Sequence, residues 1–375
     1  MIESKAAVLT ATGADWQIRT VTMQPPAQGE VLVRLAYAGL CYSDEHLRFD
    51  KAARLPIVGG HEGSGIVEAA GPGVTGLAEG DHVALTFVGT CGRCHWCVSG
   101  RANLCESAGR ANVGSMADGT FRRQCHGGEF GMEEAGAFCG LGTFAQYAVV
   151  SQNSCVKVDP AAPLQAVALV SCGVMTGWGA AVHTAGTRVG DTVVVVGAGG
   201  IGLNAIQGAC HAGAATVIAV DPVAAKRDLA LRLGATGAAE TTREAGKLAA
   251  AANPVARGAD AVIVAVGNLT EEVISQAFRA TGKGGKLVIA GLSHDVLELN
   301  VHLAGTLLAV TERAVLGSFA GSCHPARDIP LLLRLYQQGR LQLDQLVSRT
   351  YRLDDVSAGY ADLASGSNVR GVIEF

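Results

Sequence analysis

Residues 191–202 read DTVVVVGAGGIG, and this run constrains the fold more than any other stretch of the chain. Consecutive β-branched residues without polar alternation belong in a strand buried on both faces, as in a parallel sheet. The run breaks into Gly197, Gly199, Gly200 and Gly202, spaced GxGxxG, and IGLNAIQGACHAGA then reads as a helix. A second apolar run, ATVIAV, leads to Asp221, about 20 residues beyond the glycines, where a dinucleotide-binding βαβ unit places its acid. In such a unit Gly197 makes the tight turn, Gly199 lets the backbone approach a pyrophosphate, and Gly202 lets helix and strand pack closely. The helix N-terminus, with unpaired N–H groups and its dipole, favours the anion. Asp221 would accept hydrogen bonds from the adenosine ribose of NAD and repel the extra phosphate of NADP, although Lys226 and Arg227 follow closely. The plain alternative is a glycine-rich turn in an α/β sheet, in a chain with 50 glycines. GADAVIVAVG and GGKLVIAGL read as later strands of the same sheet.

A second constraint is CGRCHWCVSGRANLC, residues 91–105, where Cys91, Cys94, Cys97 and Cys105 crowd one short loop. Thiolates at that spacing can close on one tetrahedral zinc at about 2.3 Å. A ferredoxin-type cluster run would place its last cysteine after three residues and follow it with proline. Here the last gap is longer and Glu106 follows Cys105. Disulfides need an oxidising compartment, and MIESKAAVLT carries no apolar signal core, so reduced thiols are expected. A metal with four sulfur ligands has no position left for substrate, so this lobe is expected to be structural and the chemistry to lie elsewhere.

Composition removes other classes. The 375 residues, 49% hydrophobic and 17% charged, suit a soluble protein of two or three domains. A net charge of −4 gives no basic footprint for nucleic acid, and the apolar runs are too short to span a bilayer. The expected address is cytoplasmic, with no nucleic-acid or membrane partner.

GLCYSDEHL (39–47), GGHEGSGIV (59–67) and VSCGVMTGWG (170–179) say little singly, since Cys41 or Cys172 could be a packed cysteine and His61 a satisfied core histidine. In this order, with the cysteine lobe and the glycine unit, the chain resembles the medium-chain, zinc-dependent alcohol dehydrogenases from KAAVLT to NVRGVIEF. The resemblance implies an α/β fold in two domains. Residues 1–173 and 318–375 would form a GroES-like, mostly-β catalytic domain, and 174–317 a Rossmann domain with a doubly wound parallel sheet, the active cleft lying between. Two zinc ions per chain are implied. The catalytic one would be held by Cys41, His61 and Cys172, with Glu62 the acid behind it and one position open to an alcohol oxygen. Asp44 matches the acid that orients His61, Ser43 the hydroxyl touching the alcohol, and His46 the outer histidine of a proton relay. Thr176 and Ile201 fall where the family packs the nicotinamide, Lys226 where it contacts the adenosine ribose, and Arg370 where it meets pyrophosphate. Phe87, Phe138, Cys139, Leu292 and Phe319 match the substrate walls, Leu292 and Phe319 also bordering the cofactor. Such a hydrophobic cleft suits primary alkyl, aryl or terpenoid alcohols and their aldehydes.

Some features depart from the family or refine it. Tyr42 stands where many members carry a basic residue facing pyrophosphate, and SDEH also reads as a helix start with Ser43 as its cap. Residues 106–140 are similar to the long loop bordering the cleft in dimeric alcohol and glutathione-dependent formaldehyde dehydrogenases, disorder or surface decoration being the alternative. GAGGIGLNAIQGACHAGA, AVDPVAAKR and RDIPLLLRLYQQGRLQLDQLVSRTY look most like the nicotinoprotein alcohol dehydrogenases, which keep NAD tightly bound and pass electrons to an external acceptor. A last strand near GKLVIAGL implies pairing into a homodimer or higher homo-oligomer. Competing functions are oxidation of a thiol–formaldehyde adduct, a binding module built on the Cys₄ lobe, and a zinc-free quinone reductase relative. Cys125, Cys139, Cys155, Cys210 and Cys323 are expected to be packed thiols.

Overall fold

In the computed structural model, which describes residues 1–107, 113–116, 118–128, 131–293 and 300–375, the valine run is the strand Thr192–Val196, buried at every position. It lies inside a six-stranded sheet ordered Gly237–Ala239, Thr216–Val220, Thr192–Val196, Ala259–Val264, Thr281–Ile289, Ala314–Gly317. Every pairing in it is parallel. Parallel neighbours require crossovers, supplied by the helices Gly200–His211, Ala224–Arg232, Thr242–Ala252 and Glu271–Ala280. Two of these start at threonines whose side chains accept from Glu244 N–H and Val273 N–H. The chain winds outward from Thr192–Val196 in one direction, then returns to build the other half. That reversal leaves a crevice at the carboxyl ends of the strands. One expectation changes: GKLVIAGL lies in an interior strand, because Ala314–Gly317 pairs outside it. Four residues, AVLG, are too few to announce a strand by periodicity.

The chain falls into two compact units, Met1–Cys172 with His324–Phe375, and Gly173–Cys323. In the first, Ile2–Leu9, Gln17–Met23, Arg123–Gly128, Gly131–Ala137 and Ile57–Val58 close a barrel. A second sheet runs Cys155–Lys157, His82–Thr86, Glu62–Ala70, Glu30–Gly39, Arg370–Glu374, Val347–Tyr351, with Tyr147–Ser151 also pairing to Glu30–Gly39. The 106–140 stretch is therefore not simply a loop, since residues 123–137 carry two barrel strands. Their glycines and charges, as in GMEEAGA, hid the alternation. Arg122, paired to both carboxylate oxygens of Glu30 at 2.8 Å, fixes the entry to this hairpin. Residues 108–112, 117 and 129–130 of that stretch lie outside the described residues.

The helix Leu164–Thr184 is long and apolar enough to cross a membrane by composition, but 89% of its apolar 18-residue stretch is buried inside the protein, so it is a core helix. It contains two wide π-helical turns, Val170–Val174 and Ala180–Thr184. Such one-residue bulges often mark functional positions, and the first contains Cys172.

Candidate active site and metal centres

Three distant segments bring Cys41, His61 and Cys172 together. Cys41 follows the strand Glu30–Gly39 and occupies the N-cap position of the helix Tyr42–Phe49. Ser43 is thus inside the helix and does not cap it; its Oγ lies 3.7 Å from Cys41 Sγ. His61 precedes the strand Glu62–Ala70, and Cys172 sits in the π-helical turn, tied to that strand by a bond from Gly63 N–H to Ser171 Oγ. The two sulfurs and one imidazole nitrogen all lie within 4.8 Å of one another, and His61 Nε2 is 3.4 Å from Cys172 Sγ.

The electrostatics of this cluster call for a cation. A hydrogen bond from Cys172 holds the Cys41 thiol well below its usual range, against the effect of burial and with help from His61. Cys172 is correspondingly pushed well up, by sharing that bond and by burial. Burial depresses His61, but the charges of Asp44 and Cys41 outweigh it and raise the imidazole. Two thiols and an imidazole that share protons at such short range are a donor set for zinc, which displaces those protons on binding.

The imidazole is oriented from behind. Asp44 is wholly buried; its Oδ2 lies 3.3 Å from His61 Nδ1, and its Oδ1 accepts from Gly60 N–H at 2.9 Å. Gly60 has φ +86°, and any side chain there would collide with Thr143 and Phe144, so glycine is required for this turn. Tyr360, which the sequence reading missed, places its buried hydroxyl beside Asp44. Burial and the neighbouring Asp44 charge push that hydroxyl well above its usual range. An Asp44→Asn variant is expected to bind its metal about 10–100-fold more weakly than wild type, the usual cost of losing such a partner. Competition with a chromogenic chelator measures it.

Glu62 does not join the ligand cluster. Its buried carboxylate pairs with Arg370, a pairing made possible because Gly39 has no side chain to fill that space. Burial raises Glu62 and Arg370 opposes that effect; burial would lower the guanidinium itself, but the carboxylate and the nearby cysteine sulfurs hold it up. Arg370, expected at pyrophosphate, is thus 5% exposed and engaged behind the metal ligands.

Apolar side chains cover the imidazole. The rings of Phe87 and Phe138 stand edge-on to His61, with centroids 5.6 and 5.4 Å away. Cys139, at φ +54°, follows Phe138, and burial pushes its thiol up to about 12, so it is a neutral wall. His46 is half-buried on the same helix as Ser43, its ring 5.7 Å from that of Tyr42.

The other four cysteines, Cys91, Cys94, Cys97 and Cys105, likewise lie within 4.8 Å of one another. Cys94 N–H donates to Cys91 Sγ at 3.4 Å and Cys91 N–H to Cys105 Sγ at 3.3 Å. The amides of Arg93 and Cys94 lower Cys91, while burial and its neighbouring sulfurs push Cys97 up to about 12. Four thiolates cannot be negative together without a cation, and this set fits a closed tetrahedral zinc.

In the second unit Gly197 and Gly202 stand where the backbone leaves no room for another residue. Gly197 adopts φ +94°; a methyl on Gly202 would fall on the Gly197 carbonyl oxygen; beside Gly199 there is open space. Gly200 and Ile201 form the first turn of the helix, and Asn204 Nδ2 donates to Gly200 O at 2.7 Å. Asp221 accepts from Ala198 N–H and Val223 N–H, each at 2.9 Å, so its carboxylate is already anchored to the glycine loop. Arg227 binds the Asp221 carbonyl at 2.8 Å, which turns that cation towards backbone, and Lys226 is half-buried beside it. Thr176 is buried in the core helix, while Leu292 and Phe319 are each 49% exposed.

Residues 27–160 match the family described as the alcohol dehydrogenase GroES-like domain, and residues 200–338 match the zinc-binding dehydrogenase family. The chain is 48% identical to an NDMA-dependent alcohol dehydrogenase of Amycolatopsis methanolica, covering 99% of both chains. It is 34% identical to an S-(hydroxymethyl)glutathione dehydrogenase of Synechocystis sp., covering 100% of each. Among solved structures, benzyl alcohol dehydrogenase of Acinetobacter calcoaceticus superimposes with a TM-score of 0.90 at 32% identity, covering 100% of both chains.

Proposed function

Since this chain belongs to the zinc-dependent alcohol dehydrogenase family, with a GroES-like domain and a Rossmann domain, we propose that it oxidises primary alcohols with an alkyl or aryl body while holding its NAD between turnovers. The reaction is hydride transfer between an alcohol and NAD, giving the aldehyde. The observation that carries it is the convergence of Cys41, His61 and Cys172 beside an apolar wall, in a chain that also carries the anchored Asp221 and its glycine loop.

Cys41, His61 and Cys172 would hold the catalytic zinc, which as a Lewis acid lowers the pKa of an alcohol hydroxyl. NAD supplies the acceptor for the hydride. Asp44 keeps the His61 proton on Nδ1, so that Nε2 faces the cysteines. Ser43 Oγ, beside Cys41, takes the hydroxyl proton and hands it outward. His46, an imidazole on the same helix, exchanges it with water. Phe87, Phe138 and the neutral Cys139 exclude water and favour an apolar alcohol body. Leu292 and Phe319 are offered as further apolar substrate contacts, Thr176, Ile201 and Lys226 as cofactor contacts, and Arg370 as the partner that holds Glu62. Cys91, Cys94, Cys97 and Cys105 would hold a second, structural zinc. A soluble cytoplasmic homo-oligomer handing its electrons to an external acceptor completes the reading.

Retention of NAD is supported by the nearly half-identical NDMA-dependent relative and by Tyr42. Purified, dialysed protein is expected to release about one nicotinamide per chain on denaturation, and an empty supernatant contradicts retention. An alcohol series with and without added NAD, including S-(hydroxymethyl)glutathione, tests the substrate class. Faster oxidation of the glutathione adduct than of aryl alcohols would reverse it.

A further inference from the structure

We infer that Thr184 is a positioning residue for the cofactor: its hydroxyl clamps a left-handed turn at the nicotinamide end of the parallel sheet and so sets how slowly the dinucleotide leaves. The inference deepens the proposed retention of NAD and rests on that reading. It begins with where the dinucleotide must lie. The strands Thr216–Val220, Thr192–Val196, Ala259–Val264, Thr281–Ile289 and Ala314–Gly317 are parallel neighbours in that order, so their carboxyl ends emerge on one edge. Asp221 marks the adenosine side of that edge, and the helix Gly200–His211 marks the pyrophosphate at its N-terminus. The nicotinamide half must then extend the other way, over the ends of the last strands. Ser318 and Phe319 stand at that end, with Ser318 N–H bonded to Ile289 O at 2.9 Å.

Directly after Phe319 come three consecutive left-handed residues, Ala320 at φ +49°, Gly321 at +65° and Ser322 at +54°. Two of them carry side chains, for which this conformation is unfavourable and persists only where the surroundings impose it. Thr184 imposes it. Its Oγ1 lies 2.8 Å from Ser318 Oγ and 2.9 Å from Ser322 Oγ, so one hydroxyl bridges the two sides of the turn. The turn is also seated on the core helix. Cys323 Sγ lies 3.4 Å from Met175 O, and a methyl on Gly321 would come within 2.6 and 2.7 Å of the Met175 and Thr176 carbonyl oxygens.

Thr184 reaches these serines from the second π-helical turn of that helix, Ala180–Thr184, where the extra residue changes the direction in which the last side chain points. One turn earlier, Gly177 packs directly onto the Ile201 carbonyl of the dinucleotide helix. The same rigid helix thus supports the pyrophosphate-binding turn, Thr176 and the clamped turn behind Phe319. Nothing in a plain Rossmann domain requires a threonine and two serines here. Their effect is to fix the nicotinamide wall before cofactor arrives, which slows the opening that lets it leave.

The test removes the bridging hydroxyls, in Thr184→Val without altering the side chain's volume. Thr184→Val and Ser322→Ala are each expected to speed NADH release at least about tenfold in stopped-flow fluorescence, and Thr184→Ser to restore the wild-type rate. AMP, held by Asp221 on the other half of the edge, should bind within about twofold of wild type in all three. Release of NADH at the wild-type rate from both Thr184→Val and Ser322→Ala overturns the inference. So does an equal loss of AMP affinity, which would mean general damage to the domain. A wild-type protein that purifies empty contradicts retention, whereas the variant-to-wild-type ratio for added NADH still decides the clamp.

Discussion

A Cys172→Ala chain is expected to fold, to carry about one zinc ion where the wild type carries about two, and to oxidise alcohols at least about a thousandfold more slowly. The cysteine lies in the core helix with 4% of its surface exposed, and exchanging a buried thiol for a methyl costs only a small cavity. The metal is another matter, because two ligands do not hold zinc against water. Lewis-acid polarisation is worth several kcal/mol of charge stabilisation, and each 1.4 kcal/mol or so is tenfold in rate. The remaining ion should be the one in the Cys91–Cys105 lobe, whose four sulfurs the substitution leaves untouched. Metal analysis of the purified variant and a steady-state alcohol assay measure both effects.

The second and third glycines of the fingerprint separate packing from binding, and the expected results differ in kind. At Gly202 a methyl would land on the Gly197 carbonyl, so helix and strand must move apart in a Gly202→Ala chain. Overpacking against backbone should cost about 3 kcal/mol, which lowers the melting of this domain by roughly 10 °C. It should also weaken NADH at least about a hundredfold. Gly199 has φ −87°, a conformation any residue adopts, and open space beside it. Gly199→Ala should therefore melt like the wild type and still bind NADH poorly, since its methyl occupies the approach of the pyrophosphate. Calorimetry with NADH titration distinguishes the pair. If both variants melted normally, the packing role given to Gly202 would be wrong.

Features encoded by short-range pattern were legible in the sequence. The valine strand, the glycine loop and Asp221 are local, and the structure adds only that Asp221 is anchored by Ala198 and Val223 amides before any ligand binds. The metal ligands were legible through resemblance, because Cys41, His61 and Cys172 are too far apart for spacing to connect them. Glu62 is expected as the acid behind the metal, but its pairing with Arg370, from the other end of the chain, is not visible in any local pattern. Tyr360 beside Asp44 escaped notice for the same reason. The strands in residues 123–137 and Ala314–Gly317 were missed because glycine, charge and shortness erased their alternation. The left-handed turn after Phe319 carries no sequence signal, since alanine and serine do not ordinarily adopt it.

The central claim is that this chain holds two zinc ions in unlike surroundings, one closed by sulfur and one left accessible by two sulfurs and an imidazole. Zinc-edge X-ray absorption on the metal-quantified wild-type protein tests it directly. The account predicts about two zinc ions per chain, with an averaged shell of about three sulfurs and one lighter atom at the distances expected of tetrahedral zinc. About one zinc per chain, surrounded by sulfur alone, would contradict it.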